Sequence, residues 1–310
     1  MVVKVEGLVK RYDKLVALDY LNLEVEEGEI FGLLGPNGSG KTTAINCILS
    51  LLKYDKGSIH IFDKPMSPDA YDIKKDIGII MQNVAVFDEL TVYENISYFC
   101  SLYIRDKAEV KRLTKEAIEF VSLEDYQKFY PKKLSGGLLR RLNIACGIVH
   151  KPKLIILDEP TVAVDPQSRN KILEGIKMLN EEGATIIYTS HYMEEVEQLC
   201  SNIAIIDKGR VIAKGTKEEL KAMISVGEKI TVEIYHMKED QISELKNLPG
   251  IFSVDYHDNL LEIKSGKGKN NLVNILAFLE QKQIQFGRVI TEQPTLNDVF
   301  LEITGKELRD

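Results

Sequence analysis

The stretch Gly35-Pro36-Asn37-Gly38-Ser39-Gly40-Lys41-Thr42 has the residue types and the spacing to hold phosphate. It fits the pattern of glycine, four residues, glycine, lysine, then serine or threonine. Its three glycines carry no β-carbon, so the backbone can curl and come close to a ligand. Such a loop turns its N–H groups inward as a nest for anionic oxygens, at the positive end of a helix. Lys41 would reach the β- and γ-phosphates of a nucleotide, and Thr42 would set its hydroxyl on Mg²⁺.

A second chemical feature ends the apolar run Leu154-Ile155-Ile156-Leu157, where Asp158-Glu159-Pro160 follows. A carboxylate at the edge of a buried strand can hold Mg²⁺, and a second can orient a water for attack on the γ-phosphate. Three further groups read two ways from their own stretches. Gln82 closes the apolar run 77–81, where an amide could touch an ion or water or simply occupy a loop. His191 follows Ser190 past the strand predicted at 185–189, at another strand end. Tyr12 lies in a turn, as a stacking face for adenine or as a half-buried surface tyrosine. Ser135-Gly136-Gly137 reads as a capped helix start that is open to close approach.

The elements that must position these groups are legible in outline. Residues 30–34 form a short apolar run before the glycine loop, and 43–52 carry apolar residues at helical spacing after it. Residues 2–9 and 15–25 pattern as strands, as does 57–62. Residues 88–150 turn helical, with Thr91 and Glu94 placed for a capping box. Asp165-Pro166 predicts an N-cap with proline in the first helical position, and Gly183 ends that helix. Asp207-Lys208-Gly209-Arg210 predicts a hairpin turn. The character changes near residue 220. From there the pattern reads β-α-β-β-α-β with an added helix at 294–303, which predicts a small ferredoxin-like domain.

Composition narrows the class. With 310 residues the chain has room for two domains. A net charge of −7 argues against a nucleic-acid partner, which calls for a basic face. No apolar run approaches the ~20 residues of a membrane-spanning helix, and no basic-then-apolar leader opens the sequence. Cys47, Cys100, Cys146 and Cys200 are far apart without metal-type spacing, which predicts reduced core thiols in a cytosolic protein.

In combination and in this order, the motifs resemble those of ATP-binding subunits of ABC transporters, over residues 1–220. The resemblance implies a P-loop NTPase fold of the ABC ATPase type, an α/β core with an antiparallel β subdomain and a helical subdomain at about 88–150. It implies that Tyr12 is the adenine-stacking aromatic, that 35–42 is Walker A, and that Thr43 joins the nucleotide-binding set. Gln82 resembles the Q-loop glutamine, Leu134 to Leu138 the signature motif, and 154–158 Walker B. Glu159 is similar to the catalytic glutamate, Asp165 to the D-loop aspartate and His191 to the H-loop histidine. Two positions depart from the pattern: Leu138 stands where glutamine is usual, and the D-loop reads Val162-Ala163-Val164-Asp165.

The resemblance also implies ATP and Mg²⁺ as ligands, with Thr42, Gln82 and Asp158 around the metal. Lys41, Gln82, Glu159 and His191 would carry the hydrolysis. It implies a head-to-tail dimer, homomeric or with a related ATPase subunit, in which Ser135, Gly136 and Gly137 of one copy close on the ATP of the other. The tail Pro294-Thr295-Leu296-Asn297-Asp298-Val299-Phe300-Leu301 is similar to that of the drug-, lipid- and polymer-exporting branch. That branch pairs with separately encoded ABC-2 type membrane subunits, which would put this chain at the cytoplasmic face of the membrane. The C-terminal accessory domain would span 221–310. Two alternatives stay open at this level, a soluble ABC-type ATPase with no transport role and a non-hydrolysing ATP-dependent regulator.

Overall fold

The computed structural model describes residues 1–267 and 271–305. The chain divides into two compact units, one covering Met1–Thr216 and a second that begins at Lys217. The division falls slightly before residue 220, where composition changes. Residues 268–270 and 306–310, inside the stretch assigned to the accessory domain, lie outside the described residues.

The first unit opens with β1 (Val3–Tyr12) and β2 (Leu15–Val25), then β3 (Ile30–Leu34), α1 (Lys41–Ile48), β4 (Lys56–Ile61), β5 (Lys64–Pro65), α2 (Tyr71–Lys74) and β6 (Ile77–Ile80). A helical segment follows with α3 (Val92–Ser101), α4 (Lys107–Phe120) and α5 (Gly136–Ile148). The chain then returns to β7 (Leu154–Asp158), α6 (Pro166–Glu181), β8 (Thr185–Ser190), α7 (Met193–Leu199), β9 (Asn202–Asp207) and β10 (Arg210–Gly215).

Two sheets result. β2-β1-β4-β5 is antiparallel, and β10-β9-β3-β8-β7-β6 is parallel except for β10. Every residue of β3, β7 and β8 is buried. That is the burial expected of parallel strands covered on both faces, and it is why residues 30–34 and 154–157 read as apolar runs. Their carboxyl ends, where such sheets bind ligands, carry the glycine loop, Glu159 and His191.

Local chemistry sets the element ends. Thr91 and Glu94 form a reciprocal capping box on α3, with Thr91 N–H donating to Glu94 Oε2 at 2.8 Å and Glu94 N–H to Thr91 Oγ1 at 3.3 Å. Asp165 caps α6 by accepting from Ser168 N–H at 2.9 Å, and that bond holds its carboxyl below the usual carboxylate range. Lys208 and Gly209 both have positive φ, 47° and 76°, the geometry of a type I′ hairpin between β9 and β10.

The observed bounds differ from the pattern in places. The helix expected over 43–52 begins at Lys41 and stops at Ile48, and Ser50 turns the chain with φ 53°. Tyr12 ends β1 rather than lying in the turn, which starts at Asp13. α2 and α7 went unpredicted, because elements of 4 and 7 residues are too short to display helical periodicity.

The second unit contains α8 (Lys217–Met223), β11 (Val226–Ile234), α9 (Glu239–Lys246), β12 (Ile251–His257), β13 (Leu260–Gly266), α10 (Asn271–Gln281), β14 (Phe286–Glu292) and α11 (Leu296–Thr304). From β11 to β14 the order is βαββαβ, and the antiparallel sheet runs β12-β13-β11-β14. That is the ferredoxin-like arrangement. Ile230, Val232, Leu261 and Ile263 fill its core together with Leu245, Ile275 and Leu279.

Candidate nucleotide site

The glycine loop joins β3 to α1 and folds back against the rest of the first unit. At Gly35 a β-carbon would lie 2.3 Å from Ile206 O, and at Gly40, where φ is 111°, it would lie 2.8 Å from Ala17 O. Substituents at either position would push the loop off its seat. Gly209 contributes from outside the motif. Its N–H donates to Ser39 O at 2.8 Å, and a β-carbon there would sit 2.4 Å from Ala17 O. The hairpin that reads as a simple turn therefore also clamps the loop.

Lys41 is buried, and its ammonium donates to Gly35 O at 2.8 Å and Pro36 O at 3.1 Å. It also lies 3.2 Å from Glu159 Oε1. Two more groups converge on the same carboxylate. Gln82 Nε2 donates to Glu159 Oε2 at 3.1 Å, and His191 Nδ1 lies 3.2 Å from Glu159 Oε1. Residues from three strand ends and from the first position of α1, scattered from Lys41 to His191, thus meet at one carboxyl group. The backbone of Glu159 takes the left-handed φ of 48°, unusual for a side chain of this size. It turns the chain sharply out of β7.

Asp158 is fully buried beside it. Its Oδ1 accepts from Thr189 Oγ1 at 2.6 Å, whereas Oδ2 has no hydrogen-bond partner. An orphaned buried carboxylate oxygen costs free energy unless a cation meets it. The donor set of Asp158 and the Thr42 hydroxyl, hard oxygens near a phosphate loop, suits Mg²⁺.

A cleft of about 480 Å³ lies against these groups, lined by Tyr12, Leu15, Val16, Asn37, Gly38, Gly40, Lys41, Thr42, Thr43, Gln82, Glu159 and Lys208 among others. Tyr12, Leu15 and Val16 are exposed at 46%, 66% and 38%, an open apolar shelf at its mouth. Ser135, Gly136 and Gly137 are not among the lining residues. They start α5, where Ser135 Oγ accepts from Leu138 N–H at 3.3 Å, and Ser135 and Gly136 are exposed.

Two residues that sequence reasoning passed over anchor the site from below. Glu195 on α7 is buried and accepts from Thr161 Oγ1 at 2.8 Å, Tyr188 OH at 2.8 Å and Ser190 Oγ at 3.2 Å, with Arg169 Nε 3.3 Å away. It ties the chain after Glu159 to the chain before His191. Arg140 on α5 is buried and donates to backbone carbonyls around Gln82 and Glu159. Neither has a sequence signal of its own, because a buried charge is recognised by its partners and not by its neighbours in sequence.

The ABC transporter family model matches residues 18–162, and the model for the C-terminal domain of DrrA1-3-like ATP-binding proteins matches 215–304. The linearmycin resistance ATP-binding protein of Bacillus subtilis is 38% identical over 98% of this chain and 99% of its own length. The chain belongs to the ABC transporter ATP-binding family. As a member of that family it binds and hydrolyses ATP. A Nod factor export ATP-binding protein of Ralstonia nicotianae is 32% identical over 100% of this chain and 95% of its own. A solved ATP-binding cassette, dimeric and described as a post-hydrolysis state bound to ADP and Pi, shares 28% identity at a TM-score of 0.64, covering 69% of this chain and 98% of that one. Such ABC relatives favour the transporter reading over a soluble ATPase without a transport role. Among the described residues no helix is long and apolar enough to cross a membrane.

Proposed function

We propose that this chain powers export through separate ABC-2 type membrane subunits, from the cytoplasmic face, as one half of a head-to-tail ATPase dimer. The convergence of Lys41, Gln82 and His191 on Glu159 beside the glycine loop carries the proposal. ATP enters the cleft with adenine against Tyr12 and its phosphates in the nest of residues 35–43. The γ-phosphate takes the Lys41 ammonium from Glu159, and the released carboxylate faces a water and accepts its proton. Lys41 and the loop amides stabilise the charge that develops on the transferring phosphoryl group. Thr42 and Asp158 would hold Mg²⁺ with Gln82 close by, and the ion would neutralise the β- and γ-phosphate oxygens. His191 touches the γ-phosphate and registers its loss.

The exposed start of α5 supports the dimer. A helix N-terminus with its amides open is an anion site, and Ser135 and Gly136 are exposed there without lining their own chain's cleft. In the proposed dimer they meet the γ-phosphate held by the partner copy. Hydrolysis removes those contacts and releases the two copies, a switch of the kind driven by γ-phosphate in GTPases. The membrane subunit docks on the helical segment just past Gln82. There Phe87, Tyr98 and Leu102 are exposed at 43%, 43% and 59%, and Asn95 pins the loop by donating to Phe87 O at 3.0 Å and accepting from Phe87 N–H at 2.8 Å.

Size measurement of purified Glu159→Gln in Mg-ATP and in Mg-ADP tests the dimer. The expected result is a dimer with ATP and a monomer with ADP. The same size in both nucleotides overturns the ATP-glued sandwich.

A further inference from the structure

We infer that Arg140 is a positioning residue that couples the signature helix α5 to both Gln82 and Glu159. The side chain is 3% exposed. Its guanidinium donates to four main-chain carbonyls in two segments. On one side are Met81 O at 2.8 Å and Gln82 O at 3.0 Å, both from Nη1. On the other are Pro160 O at 2.6 Å from Nε and Glu159 O at 2.7 Å from Nη2. The first segment leaves β6 and the second leaves β7, neighbouring parallel strands.

A planar fork with donors in fixed directions can join two backbones in this way, and a lysine ammonium cannot reproduce it. Taking a cation out of water is costly unless its donors are all met. Here burial draws the guanidinium pKa below its ordinary value, with Asp158 opposing. One turn further along, Asn143 Oδ1 accepts from Ala85 N–H at 3.0 Å, so the same face of α5 grips the chain beyond Gln82 as well. α5 is therefore tied to the backbones of Glu159 and of Gln82, the residues whose side chains meet in the cleft.

The helix that carries Arg140 begins at Ser135-Gly136-Gly137. On the dimer reading above, its first turn is where the partner's γ-phosphate docks. Movement of α5 on docking is then transmitted by Arg140 to the backbones of Gln82 and Glu159. Each chain's site assembles fully when its own signature helix is seated on the partner's nucleotide.

The test compares Arg140→Lys with Arg141→Lys, the next residue on the helix. Arg141 bonds Val121 O at 2.8 Å and Ser122 O at 3.1 Å, and none of the three residues lines the cleft. Arg140→Lys is expected to lower kcat by roughly ten- to a hundred-fold, the scale that an ångström of misplacement costs. KM for ATP should stay within about two-fold, because no nucleotide contact is lost. The double variant Arg140→Lys/Glu159→Gln should still dimerise with ATP. Arg141→Lys should keep the wild-type kcat. Arg140→Gln retains two donors without burying a charge, and it takes over the test if the lysine variant does not fold.

A wild-type kcat in the Arg140 variant overturns the inference. So does a fall in kcat matched by a fall in thermal stability and a rise in KM, or an equal loss in Arg141→Lys. The inference rests on the proposed dimer, and the two failures are separable. Loss of the dimer reading appears as no ATP-dependent association in Glu159→Gln itself, whereas failure of this inference leaves that association intact.

Discussion

At the residue scale, the two signature glycines are different in kind. A β-carbon on Gly137 would lie 2.3 Å from Ser168 Oγ, 2.7 Å from Ser168 Cβ and 2.9 Å from Asp165 Oδ2. A β-carbon on Gly136 would meet Ala163 O at 3.9 Å, an ordinary contact. Gly137 is therefore a packing requirement between α5 and the capped start of α6, while Gly136 has room for a side chain. Gly137→Ala should cost about 1–3 kcal/mol of stability, the usual range for overpacking. Gly136→Ala should be neutral or stabilising by up to about 1 kcal/mol, since alanine favours helix. Urea unfolding measures both. Gly136→Ala puts a methyl group where the partner's phosphate comes close in the proposed dimer, so it should weaken ATP-dependent association. Gly136→Ala showing full stability with full dimerisation would mean that no ligand approaches it.

At the element scale, the strand ends were legible and the supports beneath them were not. The apolar runs 30–34 and 154–157 show in the sequence because parallel strands are buried on both faces. The polar groups just past them stand out for the same reason. Arg140 and Glu195 do not stand out, because their partners are backbone carbonyls and hydroxyls dispersed along the chain. Glu195 joins α7 to α6 and β8 with one buried carboxylate. Glu195→Ala would leave the Thr161 and Tyr188 hydroxyls without that acceptor and the Arg169 guanidinium without that carboxylate beside it. Arg169 keeps part of its side chain in solvent, so the loss belongs near the low end for breaking a buried pair, about 3 kcal/mol. Urea titration should show that drop. Because Ser190 loses a partner next to His191, the ATPase rate should fall as well under conditions where the variant is fully folded. Unchanged stability would mean that water or a neighbouring group satisfies the hydroxyls.

At the scale of the molecule, the two units have separate apolar cores, and the nucleotide cleft draws on one of them. Every residue that lines the cleft or touches Glu159 precedes Thr216. The βαββαβ order of the second unit was readable from alternating strands and from the Asp258-Asn259 turn, whose φ values of 50° and 65° give another type I′ hairpin. The order of its strands in space was not, since strand pairing is settled by contacts between segments far apart in sequence. Leu261 is fully buried in β13, opposite Val232 of β11 and Tyr256 of β12. Leu261→Ala removes three carbons from that core and should cost about 2–5 kcal/mol. Amide exchange should quicken across residues 226–267 and 271–292 and stay slow in the parallel sheet of β3, β7 and β8. If chemistry resides in the first unit, kcat for ATP should hold at the wild-type value in the same variant. A fall in kcat with the parallel sheet still protected would instead make the second unit a contributor to turnover, and the assignment of hydrolysis to residues before Thr216 would be incomplete.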